Sequence, residues 1–192
     1  MTGMDAGITR ERAMALLEEH VRQPNLRKHC LASEAVLKAL AERLGEDAEA
    51  WGIAGLLHDL DVEDTNADLS VHGRETVRIL EPEGVNPEIL EAIALHNEVS
   101  AGGRKRLTRF QHALAAGETI TGLITATALV YPDKKIASVK PKSIVKRMKE
   151  KAFAASVNRD IILECEKLNI PLPEFAELSL RAMQDISDKL EL

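Results

Sequence analysis

The sequence predicts an all-α protein, and three observations carry the prediction. Aromatic residues are only 3% of the 192 residues, whereas hydrophobic residues reach 45%. A core with so few rings has to be built from Leu, Ile, Val, Ala and Met, which suits packed helices better than strands rich in aromatic and β-branched residues. Apolar residues recur at helical spacing, as in Leu26, Leu31, Val36, Leu37, Leu40 and Leu44, and this periodicity marks a helix with one buried side. No alternation is long enough to mark a strand, and there is no internal repeat or low-complexity stretch.

Thr9 is placed to cap a helix from Arg10 to about Val21, and Pro24 interrupts it. Asn25 opens the next helix and Gly45 ends it, glycine being the usual residue just past a helix C-terminus. The apolar run from Asp47 to His58 contains Gly52 and Gly55, which lower helix propensity and make sense where neighbours press against the backbone. Ser70 is the expected N-cap of VHGRETVRIL. Pro87 suits the first position of PEILEAIALHNEV. A long helix follows from about Arg109 to Val130, closed by Tyr131-Pro132-Asp133. Beyond it, helices are expected at 143–156, with Ser143 as N-cap, and at 158–168 and 173–190. Residues 1–131 form the main bundle in this reading. Residues 132–192 form a C-terminal helical extension, first basic and then amphipathic, packed onto it.

The net charge is −6 and the pI about 5.6. That weighs against a nucleic-acid partner, because neutralising phosphates takes clustered Lys and Arg, and the few aromatics offer little for base stacking. Cys30 and Cys165 are far apart and in no CxxC pattern, so both are expected as buried reduced thiols. The N-terminus lacks an apolar stretch after a basic start, and no apolar run is long enough to span a bilayer. A cytoplasmic protein with no membrane partner is the expectation. Oligomeric state is left open.

The chemistry concentrates on histidines and acids. His58-Asp59 ends the apolar helix GIAGLLHDLD. A carboxylate there faces the negative end of the helix dipole, and a buried imidazole and carboxylate call for a compensating cation. His29, His72 and His96 lie on separate predicted helices, and Glu118 is a lone acid in the small-residue run HALAAGETITGLI. One inward ligand from each of several helices is how bundles build carboxylate–histidine metal sites. Such ligands suit Mn, Fe, Mg, Co or Ni. His20 and His112 fit no pattern.

These residues resemble the HD superfamily of metal-dependent phosphohydrolases, marked by a His, a His-Asp doublet and a distant Asp on consecutive helices. His29, His58-Asp59 and Glu118 stand in those places in order. His72 and His96 match the two further histidines of dinuclear members, in the order seen in HD-type dinucleoside polyphosphate hydrolases. The likeness covers about residues 25–130. It departs at the last acid, where Ala-Gly-Glu stands for the usual Ala-Asp, so Glu118 reaches one methylene further.

The resemblance implies one or two divalent ions and metal-activated attack of water on a nucleotide or other small phosphorylated compound. Asp59 would be ligand and orienter of the nucleophile. Asp61 and Glu63, just after the doublet, are candidates for general acid or ligand-supporting partner, with solvated loop acids as the alternative. Lys28, Arg104, Lys105 and Arg106 lie beside ligand-bearing segments and are candidates to meet phosphate, or plain surface charge. The basic stretch KKIASVKPKSIVKRMKEK places Lys142, Ser143, Lys146 and Arg147 near a predicted helix N-terminus. Such ends bind anions, so these four are expected to cap the cleft and grip substrate phosphate, against a solvated basic face. The rival to an enzyme is an HD-like sensor that holds metal and a phosphorylated ligand with little turnover.

Overall fold

The computed structural model describes residues 3–192. Among them it contains ten α-helices, three short 3-10 segments and no strand, so the chain is all-α. The helices are α1 (Arg10–His20), α2 (Pro24–Leu44), α3 (Ala48–Leu57), α4 (Arg74–Leu80), α5 (Pro87–His96), α6 (Arg109–Leu129), α7 (Pro141–Met148), α8 (Arg159–Ile162), α9 (Leu172–Gln184) and α10 (Ser187–Leu190).

The two 21-residue helices, α2 and α6, are the frame. α2 packs on α3, α6 and α9, and α6 also receives α5, α8 and the 3-10 segment Leu163–Leu168. Val36, Leu37 and Leu40 of α2 meet Ile53, Leu56 and Leu57 of α3, Ile120 and Ile124 of α6, and Phe175 and Met183 of α9 in one buried apolar cluster. The core is aliphatic as the composition requires, with Trp51 stacked on Phe110 at 5.0 Å between ring centres. Cys30 and Cys165 are buried and unpaired with each other. No helix of the described residues is long and apolar enough to cross a membrane.

Local chemistry explains most helix ends. Thr9 and Asp47 accept from backbone N–H groups at the starts of α1 and α3. Thr108 and Gln111 form a reciprocal capping box on α6. Gly55 is a packing requirement: a Cβ there would lie 2.6 Å from the Ser33 carbonyl oxygen. That close crossing brings the end of α3, with His58 and Asp59, against α2, which carries His29.

Several expected boundaries are corrected. Ser70 does not cap α4: its hydroxyl donates to Asp68, and α4 starts at Arg74. The free N–H groups at that end go to the distant carboxylate of Asp61 instead. Ser143 lies inside α7, where Pro141 takes the first position, and its hydroxyl pairs with that of Tyr131. Residues 149–158 are not helical, because the Arg159 guanidinium draws the carbonyls of Phe153, Ala154 and Val157 around itself. The segment expected at 158–168 is one short α-helical turn followed by 3-10 structure. The last expected helix is two, α9 and α10, split at Asp185-Ile186, where a run of Asp, Ile, Ser and Asp offers weak helix propensity.

Candidate metal centre

Each potential ligand is placed by its element. His29 sits in the second turn of α2, His58 caps the C-terminus of α3, and Asp59 follows it in a turn. His72 lies in the turn before α4 rather than on a helix, His96 is the last residue of α5, and Glu118 is in the middle of α6. The structure brings these segments together. Oxygens of Asp59 lie 3.4 Å from His29 Nε2, 3.2 Å from His58 Nε2, 3.2 Å from His72 Nε2 and 3.5 Å from His96 Nε2. The donors form two sets of three, His29–His58–Asp59 and Asp59–His72–His96, with Asp59 common to both.

The proton positions on the rings follow from their partners. His58 Nδ1 faces the Gly55 carbonyl at 2.8 Å and His96 Nδ1 faces the Ile93 carbonyl at 2.6 Å, so both carry hydrogen. His72 Nδ1 donates to the Asp61 carboxylate at 2.6 Å. His29 Nδ1 lies 2.9 Å from the Thr121 hydroxyl, which spends its own proton on the Glu118 carbonyl and so accepts from the ring. With every Nδ1 protonated, the neutral form of each ring has its lone pair on Nε2. Yet the Nε2 atoms of His29 and His58 are 3.1 Å apart, and those of His72 and His96 are 3.0 Å apart. Two lone pairs at that distance repel unless a positive charge lies between them. Cis ligands about 2.1 Å from a divalent ion are separated by roughly 3.0 Å, so the residues present fit a metal.

The electrostatics of the cluster agree with this. Burial holds His58 down at about 3, so it stays neutral. Burial also opposes charge on His72, but hydrogen bonds to Asp59 and Asp61 outweigh it and push the ring up to about 10. Burial similarly disfavours charge on His29, which is nonetheless raised by Asp59 and Glu118. Burial would raise Asp59, yet the surrounding histidines hold it well below the usual carboxylate range. Burial pushes Glu118 up, and the histidines offset this only in part. Without metal, a proton on His72 supplies the charge between its nitrogen pair. Metal must displace that proton, because only the deprotonated ring ligates. Affinity is therefore expected to rise by about tenfold per pH unit from neutrality toward pH 10 for this one proton. Calorimetric titration of a divalent ion at pH 7 in two buffers of different ionisation enthalpy will show about one proton or more released per chain. Equal heats in both buffers would contradict this.

The other sequence candidates separate sharply. Glu118 stands at the edge of the cluster, its carboxylate 3.8 Å from His29 Nε2 and bonded by the Thr119 hydroxyl. Asp61 is fully buried and accepts from His72 Nδ1, Gly73 N at 2.7 Å and Thr76 N at 3.1 Å. It orients His72 and is not placed to touch a substrate. Gly73 has φ +88°, and a Cβ on it would lie 3.2 Å from His96 Cε1, so only glycine fits between the two histidines. Glu63 is also not catalytic in its placement: it accepts from the backbone N–H groups of Arg22 and Gln23 at 2.8 and 2.7 Å, closing the start of α2. Lys28 pairs with Glu191, Arg104 pairs with Glu91, and Lys105 is exposed. Arg106 is half-buried, with its side chain 6% exposed, and donates to Glu164, Glu98 and the Leu95 carbonyl. His20 and His112 lie outside the cluster, beside Asp64 and Glu164.

The cluster lies at the floor of a cleft of about 460 Å³. None of Lys142, Ser143, Lys146 and Arg147 lines it. Lys142 and Lys146 are exposed, and Arg147 pairs with Glu150 and covers the Phe153 ring at 4.2 Å. The cleft wall is formed instead by Ser156, Val157, Asn158 and Ile161, which the sequence reading did not single out. It also missed Asn97, which lines the cleft and donates to the carbonyls of Leu69 and His72, holding the His72 turn against α5. Its position next to His96 was the available signal.

Comparison with known proteins agrees with this geometry. No curated protein and no solved structure matches the chain. The model of the HD domain matches residues 26–128, more than half of the chain, and spans every member of the metal cluster. The chain therefore belongs to the HD domain family, whose members are generally metal-dependent hydrolases.

Proposed function

We propose that this protein is a phosphohydrolase acting on a small phosphorylated compound, with divalent metal held by His29, His58, Asp59, His72 and His96 and with Glu118 at the edge of the first set. The observation that carries the reading is the pair of three-donor sets sharing Asp59 at the floor of an open cleft. A divalent ion bound there supplies Lewis-acid polarisation of a phosphoryl oxygen and an acidified water. The chain's own residues do the rest. Asp59 reaches both donor sets and fixes the centre of the site. Asp61, Thr121 and the carbonyls of Gly55 and Ile93 lock the ring orientations, as outer partners of ligating histidines do. Asn97 and Thr119 line the cleft beside the ligands, with their donors turned to the Leu69 and His72 carbonyls and to Glu118.

The test is elemental analysis of protein purified without added metal or chelator, with turnover of an aryl phosphate measured in Mn, Mg, Co and Ni. The expected result is one to two ions per chain and multiple turnover with at least one metal. Metal without turnover on any phosphoester would make the protein a binding module. Neither metal nor turnover would overturn the reading.

A further inference from the structure

We infer that the segment Ser156–Ile161 recognises the organic body of the substrate, and that this body is uncharged and partly apolar; the inference rests on the metal centre being where phosphate binds. The cleft of about 460 Å³ is roughly fifteen times the ~30 Å³ share of one water, far more than a phosphoryl group needs. Above the ligands, its walls are Val157 and Ile161 with Leu69 and Val99, edged by the polar Ser156 and Asn158. Among the described residues that line it there is no Lys or Arg, and Glu98 and Glu118 are acids. A second anionic group away from the metal centre would meet no Lys or Arg in the lining and the carboxylate of Glu98, which is already paired with Arg106.

The wall is held from two directions. Within the segment, the Arg159 guanidinium donates to the carbonyls of Ala154 and Val157 at 2.6 and 2.7 Å and so shapes the loop that presents Val157. Behind it, Glu164 pairs with Arg106, which also holds Glu98 at 2.8 Å and the Leu95 carbonyl at 2.8 Å. One guanidinium therefore ties the α5 side of the cleft to the 156–164 side. Across from the wall, a Cβ at Gly122 would lie 3.4 Å from Val157 Cγ2, so any larger residue there would narrow the opening. All of Ser156–Glu164 lies beyond residues 26–128, the part matched to the family. The metal centre is thus the family's, and the selecting wall is supplied by the segment that follows.

The test uses three non-hydrolysable probes on the Mn-loaded protein: methylphosphonate, phenylphosphonate and 4-phosphonobenzoate, titrated by calorimetry. Phenylphosphonate is expected to bind roughly tenfold more tightly than methylphosphonate, the gain for burying part of a ring. The added carboxylate of 4-phosphonobenzoate is expected to cancel that gain. Val157→Asn, neutral and of similar size, should bring the phenyl-to-methyl ratio close to one while Mn content stays stoichiometric. Glu164→Gln should lower the same ratio several-fold. The ratio of two ligands on one protein is not moved by a loss of folded fraction, so a merely structural effect is separated. Equal affinities in the wild type, or an unchanged ratio in Val157→Asn, would overturn the inference. Binding of the phosphonates without turnover of any ester would sink the hydrolase reading and leave this one standing. Failure of methylphosphonate to bind the Mn-loaded protein would sink both.

Discussion

Asp59→Ala is expected to strip the protein of metal and of turnover together while leaving the helical fold intact. Its carboxylate is within 3.2–3.5 Å of all four Nε2 atoms and belongs to both donor sets, so removing it leaves two pairs of imidazoles and no three-donor set. Loss of an outer-partner residue typically costs 10–100-fold in metal affinity, and loss of the shared ligand should exceed about 100-fold. The helical architecture should persist because no backbone N–H depends on the carboxylate, although the His72 charge loses one of its two carboxylate partners and the variant is expected to be less stable than the wild type. The checks are elemental analysis, circular dichroism and turnover on one preparation. Full metal content in the variant would show that the ions bind elsewhere.

Asp61→Asn is expected to cost both stability and metal affinity. The buried carboxylate accepts from one imidazole and two backbone N–H groups. An amide of the same shape replaces one accepting oxygen with a donor, so at least one buried N–H loses its partner, at about 1–3 kcal/mol. The free energy of unfolding of the metal-free protein is expected to fall by about 2 kcal/mol in denaturant titrations. Metal affinity should drop 10–100-fold as His72 loses its orienting partner. Burial opposes charge on His72, and with Asp61 neutralised one of the two carboxylates that raise the ring is gone. Its pKa falls and fewer protons are released on metal binding at neutral pH. A stability loss with unchanged metal affinity would reduce Asp61 to a purely structural role.

The contrast between these two acids marks what the sequence makes legible. Helices α1, α2, α3, α5 and α6 follow from periodicity and from end signals such as Thr9, Gly45 and Pro87, which act within one turn of chain, whereas the start of α4 is set by the distant Asp61. His29, His58, Asp59, His72 and His96 were readable because their order matched a known pattern and their residue types suit a cation. The roles of Asp61 and Glu63 were not readable. Asp61 serves N–H groups up to fifteen residues away, and Glu63 closes a helix forty residues earlier. The basic stretch misled for a related reason: a run of lysines shows charge density but not which way α7 turns it. The wall at 156–161 was hidden because Arg159 folds its loop through backbone carbonyls, which leave no trace in side-chain pattern.

His58 and His96 each stand at the C-terminal end of a helix, and each donates Nδ1–H to the carbonyl three residues back, Gly55 in α3 and Ile93 in α5. Those carbonyls belong to the last helical turn, where the chain has no further N–H to offer. The same imidazole thus seals a fraying end on one side and faces the ion on the other. Fraying of either helix end releases a ligand, and binding of the ion suppresses that fraying, so the two processes form one equilibrium. With metal held as proposed, the centre and the ends of α3 and α5 would open and close as a single cooperative unit, and the local stability of that region would report metal supply.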